Sequence, residues 1–89
     1  MHYVYILHCA DSKLYIGFSS NVNNRIRQHQ AGEVKSTKNR LPVTLVCIEC
    51  YHNQYDARSR EVFLKSGAGH AQIKRQHQRR LSELGYECL

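Results

Sequence analysis

Apolar and polar positions along the chain follow two rhythms, which predict three strands and three helices. Short runs rich in Tyr, Ile, Val and Leu are typical of strands. Apolar residues three or four positions apart indicate helices that bury one side. The predicted elements are, in chain order, strands over residues 2–8 and 13–18, a helix over 22–31, a strand over 43–50, and helices over 54–66 and 70–84.

The first two predicted strands form a hairpin around the polar residues 9–12. Tyr5 and Tyr15 are separated by an even number of residues, so their side chains share one face of the sheet. Across the hairpin they are directly or diagonally opposite. Gly17 leaves a gap beside Tyr15, and this gap favours the close packing of a helix over the approach of a substrate backbone.

The helix predicted over residues 22–31 begins after the capping segment 19–21 and ends at Gly32. Arg25 and His29 lie four residues apart, so they share a stripe beside the apolar seam of this helix. On this evidence alone, both are interpreted as ordinary helix-surface residues.

An acidic residue stands on the apolar face of the next predicted helix. Glu61 lies between Ala57 and Leu64 at helical spacing. Burying an unpaired carboxylate is expensive, so Glu61 requires a cationic partner or a metal ion. A structural salt bridge to Arg25 or Arg60 and a metal site are both consistent with this pattern.

The charge of the chain is strongly basic, with 13 Lys and Arg against 7 Asp and Glu and a net charge of +6. Such a balance favours polyanionic partners, although it also serves solubility. The polar loop 33–40 interleaves cations with hydroxyls, as phosphate contacts require, but a solvated loop has a similar composition. The candidate nucleic-acid-binding residues are Lys35, Lys38, Arg40, Lys65 and Lys74.

Length and hydropathy predict one domain over residues 1–89. No apolar run is long enough to cross a bilayer, and the first residues lack the pattern of a secretory signal. We therefore expect a cytoplasmic protein with no membrane partner.

The cysteines are Cys9, Cys47, Cys50 and Cys88, and in this setting we expect free thiols. The spacing of Cys47 and Cys50 permits a zinc or redox interpretation. That interpretation is weak, because the pair falls within the predicted strand 43–50, where an odd separation places the two sulfurs on opposite faces. The apolar character of this strand on both alternations predicts an interior position in the sheet.

Several short motifs, in this order and spacing, resemble the GIY-YIG nuclease superfamily, in particular its small stand-alone bacterial members, which are similar to an excinuclease of DNA repair. The motifs are Tyr3-Val4-Tyr5, Tyr15-Ile16-Gly17, Arg25-x-x-x-His29, and Glu61 within the helical segment 57–67. The resemblance covers about residues 2–76. It implies an α+β fold, with a small three-stranded antiparallel sheet flanked by three helices in the order strand-strand-helix-strand-helix-helix. It also implies divalent-metal-dependent cleavage of DNA that leaves a 3′ hydroxyl and a 5′ phosphate.

The resemblance also implies a role for each matching residue. Tyr15 would help to deprotonate the attacking water, and Tyr5 would orient that water or the neighbouring phosphate. Arg25 would pair with the scissile phosphate, and His29 would lie near the nucleophile. Glu61 would be the protein ligand of a single Mg²⁺ or Mn²⁺ ion, an arrangement that suits a hard cation. The general base stays open between Tyr15 and His29, because a phenol is a weak base near neutral pH and an imidazole titrates close to it.

The sequence departs from the family pattern at three points. The first motif reads Tyr-Val-Tyr, and Phe18 stands where some repair relatives carry a lysine. Many relatives have an Asn some dozen residues after the glutamate, whereas this chain has none after Asn53. Gln72, Gln76 and Gln78 are unassigned candidates for that position. The alternative function is therefore a catalytically silent nucleic-acid-binding module of the same fold, and a zinc or redox protein is a distant third.

Overall fold

The computed structural model describes residues 1–86. This part of the chain contains three strands and four helices. Their bounds are β1 His2–His8, β2 Leu14–Ser19, α1 Val22–Gln30, β3 Thr44–Tyr51, α2 Gln54–Lys65, α3 Gly67–Gln76 and α4 Gln78–Glu83.

The strands form one antiparallel sheet in the order β2-β1-β3. This confirms the predicted α+β class and the three-stranded antiparallel sheet. The prediction that the third strand is interior is wrong, because β1 is the central strand and β3 lies at an edge. The strand β3 is apolar on both alternations because clusters of buried residues cover both faces of the sheet. The pairing register also shifts between Ile6 and Leu7, opposite Val46.

Two apolar clusters lie on opposite faces of the sheet. The larger joins the sheet to α2, α3 and α4 through Val4, Ile6, Ile16, Val46, Ala57, Leu64, Ile73 and Leu81. The smaller joins the sheet to α1 and the loop before β3 through Tyr5, Leu7, Cys9, Val22, Ile26 and Val43. The tyrosines of the first two strands therefore belong to the α1 side of the sheet.

The predicted helix ends of α1 and the predicted start of α2 are confirmed. The side chain of Asn21 accepts a hydrogen bond from the Asn24 N–H at 3.4 Å, and Gly32 has a φ of +76° directly after the helix. At the start of α2, the side chain of Asn53 accepts from the Tyr55 and Asp56 N–H groups at 2.8 and 3.3 Å. These contacts satisfy helix-terminal groups that would otherwise be unpaired.

The break predicted at residues 67–69 lies instead at Ser66, which separates α2 from α3. Ser66 has an extended conformation, and its hydroxyl accepts from the Gly69 N–H at 3.1 Å, so it caps the start of α3. Gly69 is within the helix and is buried. A Cβ at Gly69 would overlap the backbone of Phe63 and Leu64, so glycine permits α3 to pack closely against the end of α2.

The single helix predicted over residues 70–84 is wrong, because His77 divides it into α3 and α4. His77 has φ −113° and ψ 27°, outside the helical region. The turn lets Leu81 reach the larger cluster, and the Arg80 guanidinium donates to the Leu45 carbonyl of β3 at 2.8 Å. The break at His77 therefore coincides with contacts between α4 and the sheet. Within residues 1–86, each helix is too short or too polar to span a bilayer.

Candidate active site

Tyr5 and Tyr15 stand diagonally across the β1–β2 hairpin. Tyr5 pairs with Gly17 and Leu7 pairs with Tyr15, so of the two predicted arrangements, direct or diagonal, the structure shows the diagonal one. Their ring centroids are 6.4 Å apart. The gap at Gly17 does not admit a helix, contrary to our expectation, because the ring of Tyr5 fills it. A Cβ at position 17 would overlap the Cζ and Oη atoms of Tyr5.

Helix α1 places the ring of His29 against the two phenols. The Tyr5 Oη and the His29 Nε2 are 2.8 Å apart, and the His29 and Tyr15 ring centroids are 5.0 Å apart. On the other side of the imidazole, Nδ1 lies 2.7 Å from the Thr37 Oγ1. Tyr5, His29 and Thr37 are 1%, 0% and 0% exposed. The interpretation of His29 as an ordinary helix-surface residue is therefore wrong.

Burial keeps both members of the Tyr5–His29 pair neutral at pH 7. It lowers the pKa of His29 to about 4, and the positive charge of Arg25 acts in the same direction. Burial raises the pKa of Tyr5 to about 12, and Tyr15 also raises it, whereas the nearby guanidinium of Arg25 acts in the opposite direction. The pair is thus an uncharged hydrogen-bonded unit beside a cation.

Arg25 lies on α1, one turn before His29, and is half-buried. Its guanidinium is close enough to Tyr5 to affect the Tyr5 pKa, and it also donates to the Gln28 side chain at 3.2 Å. It lines an open cleft of about 600 Å³ together with residues 33–36. In the same loop, the Ser36 hydroxyl donates to the Tyr15 Oη at 3.3 Å. The cleft therefore adjoins the phenols and has a positive side chain in its wall.

Glu61 lies on the buried face of α2, as predicted, with a side chain that is 12% exposed. Its two carboxylate oxygens accept from Arg58 Nη1 at 3.3 Å and from Lys65 Nζ at 3.0 Å. Its negative charge also contributes to the raised pKa of Tyr5. Of the sequence-predicted site residues, Tyr5, Tyr15 and His29 are in contact with one another, whereas Arg25 on α1 and Glu61 on α2 act on the pKa of Tyr5 through their charges.

The predicted partners of Glu61 are corrected by the structure. Arg60 does not pair with Glu61. It binds the carboxylate of Glu49 through two bonds of 2.9 and 3.1 Å and donates to Gln72 at 3.0 Å. Residues on one side of a helix recur every three or four positions, so Glu61 pairs with residues 58 and 65, one turn away on the same helix. Arg25 instead acts on the pKa of Tyr5 through its positive charge.

Glu61 is a suitable ligand for a divalent cation that keeps most of its coordination for water and phosphate. Within residues 1–86, no three His, Cys, Asp or Glu side chains cluster as a multidentate protein cage would require. A single carboxylate is the protein contribution that Mg²⁺ commonly takes when substrate phosphates supply other ligands. Each oxygen of Glu61 receives one side-chain hydrogen bond and retains further acceptor capacity.

The cysteine pair is distributed as predicted. Cys47 pairs with Ile6 and Cys50 pairs with Tyr3, and these two β1 residues belong to opposite faces of the sheet. The two sulfurs therefore do not converge within the strand. Cys88 lies outside the described residues.

Comparison with known proteins decides the family. Residues 1–80 match the family model of the GIY-YIG catalytic domain. This chain belongs to the GIY-YIG family. It is 38% identical to the UPF0213 protein CPE1444 of Clostridium perfringens over 98% of this chain and 95% of that protein. It is 48% identical to the UPF0213 protein HQ_3675A of Haloquadratum walsbyi over 73% of this chain and 74% of that protein.

A solved structure also resembles this GIY-YIG chain. The solution NMR structure of the UPF0213 protein BH0048 from Bacillus halodurans is 31% identical, and the match covers 96% of this chain and 85% of that chain with a TM-score of 0.48. The family membership rests on the sequence matches. Because GIY-YIG proteins form a nuclease superfamily, membership implies a nucleic-acid substrate.

The predicted nucleic-acid-binding cations of this GIY-YIG domain fall into three groups. Lys35 lines the cleft beside Arg25, and Lys38 is exposed in the same loop. Arg40 pairs with Asp11 at 2.8 Å, and Lys65 pairs with Glu61. Lys74 lies on α3, outside the residues that line the cleft. The structure therefore brings Lys35 to the cleft and Lys65 to Glu61, whereas Arg40 is bound to the hairpin turn.

Three residues of the GIY-YIG site were not identified from the sequence. Thr37 and Ser36 contact His29 and Tyr15, but the sequence showed them only as polar loop residues. Arg58 lies with its guanidinium carbon 3.9 Å from the ring centroid of Phe18 and donates to Glu61. The spacing of Arg58 and Glu61 on one helix was the available signal.

The three glutamines considered as substitutes for the missing GIY-YIG asparagine make no hydrogen bond to Glu61. Gln72 accepts from Arg60, as described above. Gln76 and Gln78 line a separate cavity of about 570 Å³ at the junction of α3 and α4. Within residues 1–86, the hydrogen bonds to Glu61 come from Arg58 and Lys65 and from none of these glutamines.

Proposed function

We propose that this chain is a divalent-metal-dependent endonuclease that hydrolyses DNA phosphodiester bonds and leaves a 3′ hydroxyl and a 5′ phosphate. The supporting observation is the contact of two phenols and an imidazole around Tyr5, with the charges of Arg25 and Glu61 both acting on the pKa of Tyr5. We propose that residues 1–89 form one such domain. A role in DNA repair and a cytoplasmic location stay predictions.

Arg25 and Lys35 provide the positive charge that a phosphodiester requires. Both line the open cleft, and the charge of Arg25 also acts on the pKa of Tyr5. Negative charge increases on the phosphate oxygens in the transition state, so a fixed guanidinium stabilises that state more than the ground state. We assign Arg25 to the scissile phosphate and Lys35 to the adjoining backbone.

Tyr15, and not His29, accepts the proton of the attacking water in this proposal. Both ring nitrogens of His29 are already engaged, and its side chain is fully buried. Its pKa of about 4 also makes it a weak proton acceptor at neutral pH. Tyr15 is half-buried, contacts the loop that lines the cleft, and is on the same side of the sheet as α1, which carries Arg25.

Glu61 would hold the Mg²⁺ or Mn²⁺ ion. When bound, such an ion supplies Lewis-acid stabilisation of the phosphate and of the leaving oxygen. Arg58 and Lys65 orient the carboxylate, each through one of its oxygens. Both cations are on the same helix as Glu61, and the guanidinium of Arg58 also packs over the Phe18 ring of β2.

The second candidate is a nucleic-acid-binding module without turnover. Both oxygens of Glu61 are held by cations, and an ion must share the carboxylate with them. The missing asparagine favours the same alternative. In that case Arg25 and Lys35 bind phosphate, but the cleft lacks a competent metal centre.

A cleavage assay with matched tyrosine variants tests the proposal. Purified protein is incubated with end-labelled single- and double-stranded DNA in Mg²⁺, Mn²⁺ or EDTA. We expect metal-dependent cleavage that falls at least about a hundredfold in Tyr15→Phe, since general-base catalysis contributes about 10² to 10⁴. Tyr55→Phe is the control, because Tyr55 is 79% exposed on α2. Products should be rejoined by a ligase that requires a 5′ phosphate and a 3′ hydroxyl.

The alternatives give different results in the same experiment. DNA binding without cleavage in either metal supports the binding module and contradicts the endonuclease. Cleavage that survives in Tyr15→Phe rejects Tyr15 as the base. The absence of both DNA binding and DNA cleavage would contradict both candidates.

A further inference from the structure

Three arginines line a cavity where α3 meets α4, apart from the residues of the candidate active site. This α3–α4 cavity has a volume of about 570 Å³ and is lined by Arg75, Arg79 and Arg80, together with His77, Glu83 and two glutamines. Three of these side chains are permanently charged cations, whereas Glu83 is the one acidic lining residue. The wall of the cavity therefore carries a net positive charge.

The protein neutralises little of this charge. Glu83 lies 3.9 Å from Arg80, and the two side chains are 66% and 40% exposed, so their ion pair is weak. Within residues 1–86, Arg75 and Arg79 form no ion pair. Cations that share a cavity repel one another, and an anion bound between them relieves that repulsion. Solubility requires surface charge but not the gathering of three cations in one concavity.

Contact with the sheet fixes one of the three arginines. Arg80 Nη2 donates to the Leu45 carbonyl of β3 at 2.8 Å. A guanidinium has five N–H donors, so this bond leaves others for a ligand. Its planar fork matches the oxygens of a phosphate, and a side chain that is already held loses less conformational freedom when a ligand binds. The cavity is thus partly organised for a phosphate group.

The same contact relates the cavity to the candidate active site. Leu45 pairs with Leu7, and Leu7 pairs with Tyr15, so the three residues form one row across the sheet. Neighbouring strands are about 4.8 Å apart, which separates the backbones of Leu45 and Tyr15 by about 10 Å. Each strand of B-DNA carries one charge per about 3.4 Å of helix axis, so this distance corresponds to only a few phosphates.

The two helices of the cavity lie on the opposite face of the sheet from α1. Ile73 of α3 and Leu81 of α4 belong to the larger cluster, whereas α1 packs on the smaller one. Arg80 contacts β3, which is an edge strand. A nucleic acid that passes this edge could contact the α3–α4 cavity with one part of its backbone and the cleft beside Arg25 with another.

We propose that the α3–α4 cavity is a second nucleic-acid-binding site, in which Arg75, Arg79 and Arg80 bind phosphates of the backbone a few nucleotides from the phosphate in the cleft. The choice of nucleic acid follows from the substrate class of the GIY-YIG family. The inference rests on the nucleic-acid partner in the proposed function and is independent of cleavage.

Binding of labelled DNA without cleavage tests this site. Fluorescence anisotropy in EDTA measures the affinity for a twenty-base-pair duplex, and the dependence of affinity on salt between about 50 and 200 mM counts the phosphate contacts. The test variant is Arg75→Gln/Arg79→Gln, which keeps Arg80 and its contact with Leu45. We expect weaker binding and a slope of log affinity against log salt that is smaller by about 1.8, because each lost phosphate contact removes about 0.9.

Lys13→Gln/Arg27→Gln is the matched control. It removes the same charge from exposed residues that line neither the α3–α4 cavity nor the cleft. Its salt slope should stay that of the wild type, and equal slopes in the two double variants would overturn the inference. If circular dichroism shows that Arg75→Gln/Arg79→Gln does not fold, Arg79→Gln alone should lower the slope by about 0.9. An unchanged slope in that single variant would overturn the inference as well.

Nitrogen-15 NMR of the wild type distinguishes a nucleic-acid backbone from a free phosphate. The Nε–H signals of Arg75 and Arg79 are assigned with the single glutamine variants and followed while DNA or inorganic phosphate is added. We expect these signals to shift with DNA and to stay unchanged with inorganic phosphate at the same phosphate concentration. Equal shifts with both would indicate a site for free phosphate compounds and would overturn the assignment to nucleic acid. The absence of a shift with DNA would overturn the site itself.

The same variants separate this inference from the proposed function. DNA binding that depends on Arg75 and Arg79, in a protein that cleaves DNA with neither Mg²⁺ nor Mn²⁺, would support the cavity and contradict the endonuclease. Metal-dependent cleavage by the wild type, together with an unchanged salt slope in Arg75→Gln/Arg79→Gln, would support the endonuclease and overturn the second site.

Discussion

Substituting Gly17 by Ala should displace the ring of Tyr5. The added methyl would overlap the Cζ and Oη atoms of Tyr5, a side chain that is 1% exposed. The backbone at Gly17 has no positive φ, so alanine is conformationally acceptable there. The displacement of the Tyr5 ring therefore arises from steric overlap alone. Tyr5 can yield only by tilting away from β2, and that motion stretches its 2.8 Å contact with His29.

The expected loss of stability has two parts. Adding a methyl group to a well-packed core costs about 1–3 kcal/mol. Weakening the hydrogen bond between Tyr5 and His29 adds about 1 kcal/mol. We therefore expect Gly17→Ala to lower the free energy of unfolding by at least about 2 kcal/mol. In a domain of this size, that corresponds to a fall in Tm of at least about 8 °C. Cleavage should decrease as well, because the phenol moves.

Gly67→Ala is the matched control for this prediction. A Cβ at Gly67 meets no atom within 4 Å, and Gly67 is the first residue of α3. Alanine is the better helix former, so the variant should be as stable as the wild type or more stable by up to about 1 kcal/mol. Urea and thermal unfolding followed by circular dichroism at pH 7 compare the three proteins. Equal stability of Gly17→Ala and Gly67→Ala would refute the claim that Tyr5 is fixed over Gly17.

Two further predictions concern the charged and titrating groups of the site. Glu61→Gln should change the free energy of unfolding, measured in urea, by less than about 1 kcal/mol, because Arg58 and Lys65 are 54% and 55% exposed and stay solvated. The same variant should abolish cleavage. A large destabilisation would instead indicate that the carboxylate is structural. Stability should fall as pH decreases from 6.5 toward 4, because His29 binds a proton in the unfolded chain but not in the folded one, where its pKa is about 4. At pH 5 the loss in the free energy of unfolding is about 2 kcal/mol. Urea unfolding at pH 7 and pH 5 measures this loss, which should be smaller in His29→Gln than in the wild type.

The elements predicted correctly are those with local signals in the sequence. Asn21 and Asn53 cap α1 and α2, and Gly32 follows α1 in a left-handed conformation. Each of these signals acts within a few residues of the helix end that it determines. The hairpin register also follows from a short connection, so Tyr5 and Tyr15 could be placed on one face before the structure was known.

The errors in the predicted fold concern relations between distant segments. Whether β3 lies inside or at an edge depends on which strand pairs with both others, and apolar alternation does not contain that information. The break at His77 depends on contacts of α4 with the sheet, such as the bond from Arg80 to Leu45. A helical pattern of apolar residues continues across the break, so the periodicity predicted one helix.

The candidate site was predicted as a set of residues but not as a network. Spacing placed the two phenols on one face, Arg25 and His29 on one stripe and Glu61 on an apolar face. Only the resemblance to the GIY-YIG family implied that these residues form a site. Neither spacing indicated that His29 is fully buried or that Arg58 and Lys65 hold Glu61. Burial of a polar side chain depends on the partners that satisfy it, and these partners come from other segments of the chain.

The loop before β3 shows most clearly why the network matters. Ser36 and Thr37 are neighbours in sequence, yet Ser36 donates to Tyr15 while Thr37 contacts Tyr5 through His29. The two phenols are therefore positioned by one loop as well as by the sheet. Residues 33–36 of this loop also line the cleft that we assign to phosphate. A substrate that contacts the loop thus acts on the same segment that orients both phenols, so binding and the alignment of the phenols are physically connected.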